Sequence, residues 1–168
     1  ILFLLSFVFS STTYAATEKT SLPSDSIYHS QTEWTDQNEK TFKLEKLAGK
    51  AVAISMVYMS CQHTCAMTGG KMKEVEKGVG PELKEKTQFI LVSFDPKNDT
   101  PAVMKKYAEK NNLKFPNWMF ATSKNEQSLR ELSGLIDFKY KKVAEDEFEH
   151  TYGIIALDAS GRVIGRVE

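Results

Sequence analysis

Two short runs constrain this chain most: Ala51-Val52-Ala53-Ile54-Ser55-Met56-Val57-Tyr58 and Phe89-Ile90-Leu91-Val92-Ser93-Phe94. Each is nearly unbroken by polar residues, which suits a strand buried on both faces of a sheet. Between them Met72, Val75 and Val79 fall at helical spacing among Glu and Lys, until Gly80-Pro81 ends the pattern. Thr100-Pro101 then reads as an N-cap followed by proline at the first helical position, with Val103, Met104, Tyr107 and Ala108 as the buried face. Trp118-Met119-Phe120-Ala121 predicts a further strand. Ser123 and Glu126 have capping-box spacing, with Leu129, Leu132 and Leu135 continuing a helix. Residues 152–157 and 162–167 predict a closing hairpin across Asp158-Ala159-Ser160-Gly161, and residues 34–44 an opening one around a turn at 36–40.

Strands alternating with helices predict an α/β protein, and the two hairpins make its sheet mixed. The order fits a thioredoxin-like mixed sheet flanked by helices, with an added N-terminal β-hairpin. Other small α/β folds share that order.

Charge narrows the partners. The 22 Lys and Arg balance the 22 Asp and Glu. A nucleic-acid binder needs a basic excess to neutralise phosphates, so none is expected as a partner. The balance also leaves no polybasic handle for an anionic membrane surface. A hydrophobic share of 41% with 26% charged residues is ordinary for a globular domain.

Residues 1–17 carry no charge, and the first charged residue is Glu18. The apolar part, residues 1–9, is far shorter than the roughly 20 residues that span a bilayer. Small and polar residues follow, with Thr13-x-Ala15 resembling a peptidase site. Residues 1–16 therefore read as an export signal, with an uncleaved membrane anchor as the alternative. Residues 17–25 read as a flexible lead-in and 26–168 as a single domain, monomeric and extracytoplasmic, in a periplasm.

The sharpest chemical feature is Cys61-Gln62-His63-Thr64-Cys65, placed where a buried strand ends and a helix begins. Strand ends of such sheets open onto ligand-binding crevices. A helix N-terminus lowers a thiol's pKa, favouring the thiolate that attacks disulfides or binds metals. Residues four apart on a helix share a face, so both sulfurs can point to one spot. A structural disulfide is the bland alternative for an exported protein. A loop this short gives it only about 2 kcal/mol, against about 4.7 for a 100-residue loop. Redox and metal chemistry both stay open.

What faces the cysteines separates those two. The five prolines stand at 23, 81, 96, 101 and 116, so none precedes the strand near Tyr152, where thioredoxin-type oxidoreductases usually carry one. His150-Thr151 stands there instead. A histidine aimed at a dithiol suggests two thiolates and one imidazole. Such a site holds soft Cu(I) and, through the imidazole, Cu(II). The alternative is a loop histidine beside the acidic residues 145–149, themselves a solvated loop or a docking surface for a basic partner. Asp95 could lie near the site or only cap the next turn. His63 would point away from the face of Cys61 and Cys65, His29 reads as a surface residue, and Met59 and Met67 read as core filler. No Ser/His/Asp triad, phosphate loop or paired-carboxylate pattern is present.

Together these residues resemble the Sco/SenC family of copper chaperones, thioredoxin-like proteins that assist cytochrome c oxidase assembly. The resemblance rests on Phe42-Lys43-Leu44, Gly49-Lys50, and Tyr58-Met59-Ser60-Cys61 through Cys65. It continues in Ser93-Phe94-Asp95-Pro96-Lys97-Asn98-Asp99-Thr100-Pro101, and in His150-Thr151 ahead of the strand ending Leu157-Asp158-Ala159-Ser160-Gly161. It implies that Cys61, Cys65 and His150 ligate copper, with Asp95 close by. It implies as partner the copper-containing subunit of a terminal oxidase, or another extracytoplasmic copper protein. Where the family usually has proline after one or both cysteines, this chain has Gln62 and Ala66. The family's closing helix is expected to be missing after 168. On this reading the chain is a metallochaperone rather than an enzyme. The rival is a thiol-disulfide oxidoreductase in which Cys61 and Cys65 form the redox pair.

Overall fold

The computed structural model describes residues 21–59, 64–145 and 147–168, with backbone only for 64–67. The strands are β1 (Glu33–Asp36), β2 (Thr41–Lys43), β3 (Ala51–Val57), β4 (Thr87–Ser93), β5 (Trp118–Thr122), β6 (Tyr140–Ala144), β7 (Glu147–His150), β8 (Ile154–Leu157) and β9 (Val163–Val167). The helices are α1 (Thr64–Gly78), α2 (Pro81–Lys84), α3 (Pro101–Lys110) and α4 (Glu126–Leu135). Seven strands form one sheet in the order β2-β1-β5-β4-β3-β8-β9, and β6 pairs with β7 apart from it.

The two apolar runs form the centre of that sheet. β3 and β4 lie parallel in unbroken register from Ala51 opposite Thr87 to Val57 opposite Ser93. β4 is buried at every position and β3 at all but Ala51. Fully burying each Ile, Leu, Val or Phe side chain there contributes roughly 1.5–3 kcal/mol. β5 adds parallel to β4, and β8 adds antiparallel to β3. The opening hairpin extends the sheet through β1, antiparallel to β5, with Trp34 opposite Phe42 and both buried. The predicted thioredoxin-like α/β architecture with an added N-terminal hairpin is what the chain forms.

Local chemistry explains the helix starts and corrects two expectations. The Thr100 side chain accepts from the Val103 amide, capping α3 with Pro101 at its first position. Met104 and Ala108 form the buried face, whereas Val103 is 38% exposed and turns outward. α4 is capped by Asn125, whose side chain accepts from the Gln127 amide; Ser123 accepts one step earlier, from the Asn125 amide. Ser123 is thus displaced as the cap by a residue with the same capability, two positions nearer the helix. Leu129 and Leu132 are buried, and Leu135 is 41% exposed.

The closing turn is locked against residues 26–28. Gly161 (φ +83°) accepts the Ile27 amide on its carbonyl, and a Cβ there would meet the Tyr28 ring at 2.6 Å. Only glycine permits both that dihedral and that approach.

A β6–β7 hairpin occupies the stretch whose acidic residues read in the sequence as a solvated loop or docking surface. Tyr140 lies opposite His150, Lys141 opposite Glu149 and Lys142 opposite Phe148. Strand alternation sends Tyr140, Phe148 and His150 to one face and Lys141 with Glu149 to the other. Part of the acidic stretch is therefore strand, with a lysine across from it, and Glu145 is 3.7 Å from Lys97. The alternation Glu147-Phe148-Glu149-His150 is the signal that could have revealed it.

Candidate metal and thiol site

β3 delivers the chain to the cysteine motif. Tyr58 and Met59 follow its last residue, Cys61 lies outside the described residues, and Cys65 is the second residue of α1. A thiol so placed lies in the first turn of a 15-residue helix, where the unpaired amides stabilise a thiolate. The side chains of Cys65 and Met67 and the whole of His63 fall outside what is described. Among the described residues no three His, Cys, Asp or Glu side chains converge as a metal cluster.

The third candidate ligand is well defined. His150 ends β7, half-buried, with its ring among aromatic side chains. Its centroid is 5.4 Å from Phe94, 5.8 Å edge-on from Tyr58, and 5.9 Å from Phe138 at an interplanar angle of 19°. Phe94 packs in turn on Tyr140 at 4.9 Å, Tyr58 at 5.4 Å and Phe148 at 5.2 Å. Each such pair is worth about 0.5–1.5 kcal/mol beyond its buried area. Tyr58 precedes Cys61 by three residues, so the cluster seats His150 at the end of the strand that leads into the motif.

Its tautomer follows from its partner. Nδ1 is 2.6 Å from the Thr151 carbonyl oxygen, which can only accept, so Nδ1 carries the proton. Nε2 is left with its lone pair in the neutral ring. That arrangement fixes ring orientation and raises ligand basicity in metal-binding histidines.

Asp95 is 4% exposed and follows Phe94 directly. Its Oδ2 accepts from the Asn98 side chain at 2.8 Å, and its carbonyl accepts the Asn98 and Asp99 amides. It closes a turn and also lines an open groove with Phe94, Tyr140 and Phe148, beside the histidine cluster.

Sequence reasoning passed over Asp99, which is 1% exposed. Its Oδ2 accepts from the Met59 amide at 2.8 Å and from the Ser93 hydroxyl at 2.5 Å. Ser93 in turn accepts the Asp95 amide at 3.0 Å. Burial pushes the Asp99 carboxyl up to about 6; the bonds from Ser93 and Met59 pull partly back, and the nearby Asp95 charge pushes up again. Only its place in the string Asp95-Pro96-Lys97-Asn98-Asp99 hinted at a role.

The remaining candidates stand apart from this cluster. His29 is exposed and donates from Nε2 to the Pro23 carbonyl. Met59 is partly buried against the core, as filler would be. The proposed export segment, 1–16, lies outside the described residues. Among those described, no helix is long and apolar enough to cross a membrane.

A mixed sheet with a parallel centre, and a Cys-x-x-x-Cys motif that follows β3 in sequence and ends inside α1, define a thioredoxin-like protein with a cysteine pair in that segment. The chain belongs to the SCO1/SenC family, whose model matches residues 21–168. It is similar to the SCO1 protein homolog of Bacillus subtilis, with 28% identity over 132 residues covering 77% of this chain and 67% of that one. It is likewise similar to a SCO2-like protein of Rickettsia conorii, at 26% over 140 residues covering 79% and 65%. The chain thus spans about two thirds of the length of these relatives. Among solved structures it resembles copper-bound ScoI of Bradyrhizobium japonicum, with a TM-score of 0.69 and 26% identity, covering 81% of this chain and 86% of that one.

Proposed function

We propose that this chain is an extracytoplasmic copper metallochaperone that serves copper-site assembly in a cytochrome c oxidase. Cys61, Cys65 and His150 hold one copper ion as cargo, with Asp95 beside the site. The recipient is the copper-containing subunit of a terminal oxidase or another exported copper protein.

The observation that carries this reading is the seating of His150. Its Nδ1–H is committed to the Thr151 carbonyl, and its ring rests on Tyr58 and Phe94 where the cysteine motif begins. Two thiolates and a neutral imidazole suit Cu(I) and tolerate Cu(II). The similarity to a copper-bound ScoI structure supports the same choice. Cargo of this kind passes by ligand exchange, each donor of the recipient displacing one donor here. Oxidation of the cysteines to a disulfide ends binding, because only thiolates ligate.

The test is an anaerobic Cu(I) titration of the reduced chain against a chromogenic chelator, beside His150→Ala. One equivalent bound, with affinity lowered about tenfold or more in the variant, is expected. Binding indifferent to His150 would sink the ligand set.

One observation favours a second reading: Cys65 lies in the first turn of α1, where a thiolate is stabilised for attack on disulfides. A thiol-disulfide oxidoreductase would use Cys61 and Cys65 as its redox pair. Turnover of a disulfide substrate, with a mixed disulfide trapped on Cys65 by Cys61→Ser, separates the two.

A further inference from the structure

One buried carboxyl near the cysteine motif has no part in the ligand set. Asp99 is 1% exposed, and a single carboxylate oxygen receives both the Met59 amide and the Ser93 hydroxyl. Met59 is the last described residue before the motif, two positions ahead of Cys61. Ser93 ends β4 opposite Val57, the last residue of β3, and its oxygen also holds the Asp95 amide. One hydrogen-bonded path, Met59 to Asp99 to Ser93 to Asp95, therefore joins the backbone just after β3 to the turn that carries Asp95. The backbone reinforces it: the Phe94 amide donates to Val57 and the Asp99 amide to Asp95.

A buried carboxylate costs free energy, and a threonine or alanine would fill this position without that cost. What the carboxylate supplies is an acceptor able to take two donors on one oxygen at a defined place. The backbone after β3 has left the sheet ladder, so its amide needs a partner from elsewhere.

The geometry points to Asp99 as a positioning residue for the dithiol: by holding the Met59 amide it fixes the backbone that follows β3, two residues before Cys61. Loosening that point lowers the effective concentration of one thiol for the other. It also spreads the donors away from the geometry a metal requires. This rests on the copper reading only for its metal arm, since the thiol arm holds for a redox pair as well.

The test uses the full chain as parent, Asp99→Ala and Asp99→Asn. Asparagine keeps an oxygen that accepts both bonds and removes the charge, whereas alanine removes the acceptor. The first readout is the equilibrium of the dithiol with a glutathione buffer. There one oxidised glutathione takes two electrons and two protons from the thiols, giving the protein disulfide and two reduced glutathiones. The second readout is Cu(I) competition against a chromogenic chelator. Asp99→Ala is expected to lower the disulfide-forming constant and the Cu(I) affinity by about tenfold each. Asp99→Asn is expected to stay close to the parent in both. Circular dichroism selects folded variants; should Asp99→Ala lose its native spectrum, Asp99→Glu, which displaces the acceptor by one methylene, replaces it with the same expected losses.

A folded Asp99→Ala, or the Asp99→Glu that stands in for it, with parental values in the thiol equilibrium overturns the proposal. So does an asparagine variant as impaired as the alanine one. A parent chain that ignores Cu(I) overturns the copper reading instead, and the thiol equilibrium still decides the role of Asp99.

Discussion

His150 donates its Nδ1 proton to the carbonyl of its own neighbour, Thr151, at 2.6 Å. The bond turns a residue at the end of an otherwise exposed hairpin into an oriented imidazole. The orientation depends on the ring's other neighbours, Phe94 above all, because a single short-range bond does not define a plane against the sheet.

Phe94→Ala should therefore act on stability and site together. Phe94 is 3% exposed and packs on Tyr58, Phe138, Tyr140, Phe148 and His150. Truncation is expected to cost about 3–5 kcal/mol in urea unfolding. Under conditions where the variant remains folded, its Cu(I) affinity should fall toward that of His150→Ala. A variant that is destabilised yet binds copper like the parent would show that the cluster does not orient the imidazole.

Asp99 gives the chain a pH signature. Its carboxyl lies at about 6 in the folded chain against an ordinary 3.8. Between those values the folded chain holds a proton that the unfolded chain has released. The group's contribution is most favourable below the lower value and is lost as pH rises through the upper one. The loss is roughly 3 kcal/mol at most. Urea unfolding of the parent and Asp99→Asn at about pH 4.5 and about pH 7.5 reads it as a difference of differences. The parent should decline relative to the variant on going to the higher pH. The opposite sign would mean that the bonds from Met59 and Ser93 outweigh burial.

Gly161→Ala should be severe for its size. The new methyl would lie 2.6 Å and 2.7 Å from Tyr28 ring carbons, at a φ of +83° that L side chains rarely adopt. Overpacking and backbone strain together are expected to cost about 3 kcal/mol, measured by thermal or urea unfolding. A near-neutral result would mean that the segment around Tyr28 shifts away from the closing turn at little cost.

Gly70→Ala should go the other way. The position is exposed within α1, and a Cβ there meets nothing within 4 Å. Alanine is expected to stabilise the chain by about 1 kcal/mol through helix propensity. Gly69→Ala should gain less, because its methyl would approach the Tyr107 hydroxyl to 2.9 Å.

The two apolar runs alone indicated β3 and β4, since a strand buried on both faces needs only apolar residues and leaves that mark in the sequence. The Thr100-Pro101 start of α3 was equally legible, because a cap acts over three residues. The β6–β7 hairpin was hidden by its composition. Lys141 and Glu149 on its outer face, with further charged residues around them, look like a solvated loop until Tyr140, Phe148 and His150 are seen on one side.

The site divides the same way. Motif spacing and chain order determined which residue types could hold a soft metal or exchange disulfides, because that chemistry belongs to the side chains themselves. Local sequence also set the strand–motif–helix order that puts Cys65 at a helix start. Tertiary structure decided that His150, 85 positions beyond Cys65 in the sequence, rests on Tyr58 and Phe94. It decided which imidazole nitrogen keeps its lone pair, and that Asp99 grips the Met59 amide. These are contacts between distant segments, set by how the hairpin and the 95–99 turn pack against the ends of β3 and β4, and no local pattern of residues encodes them.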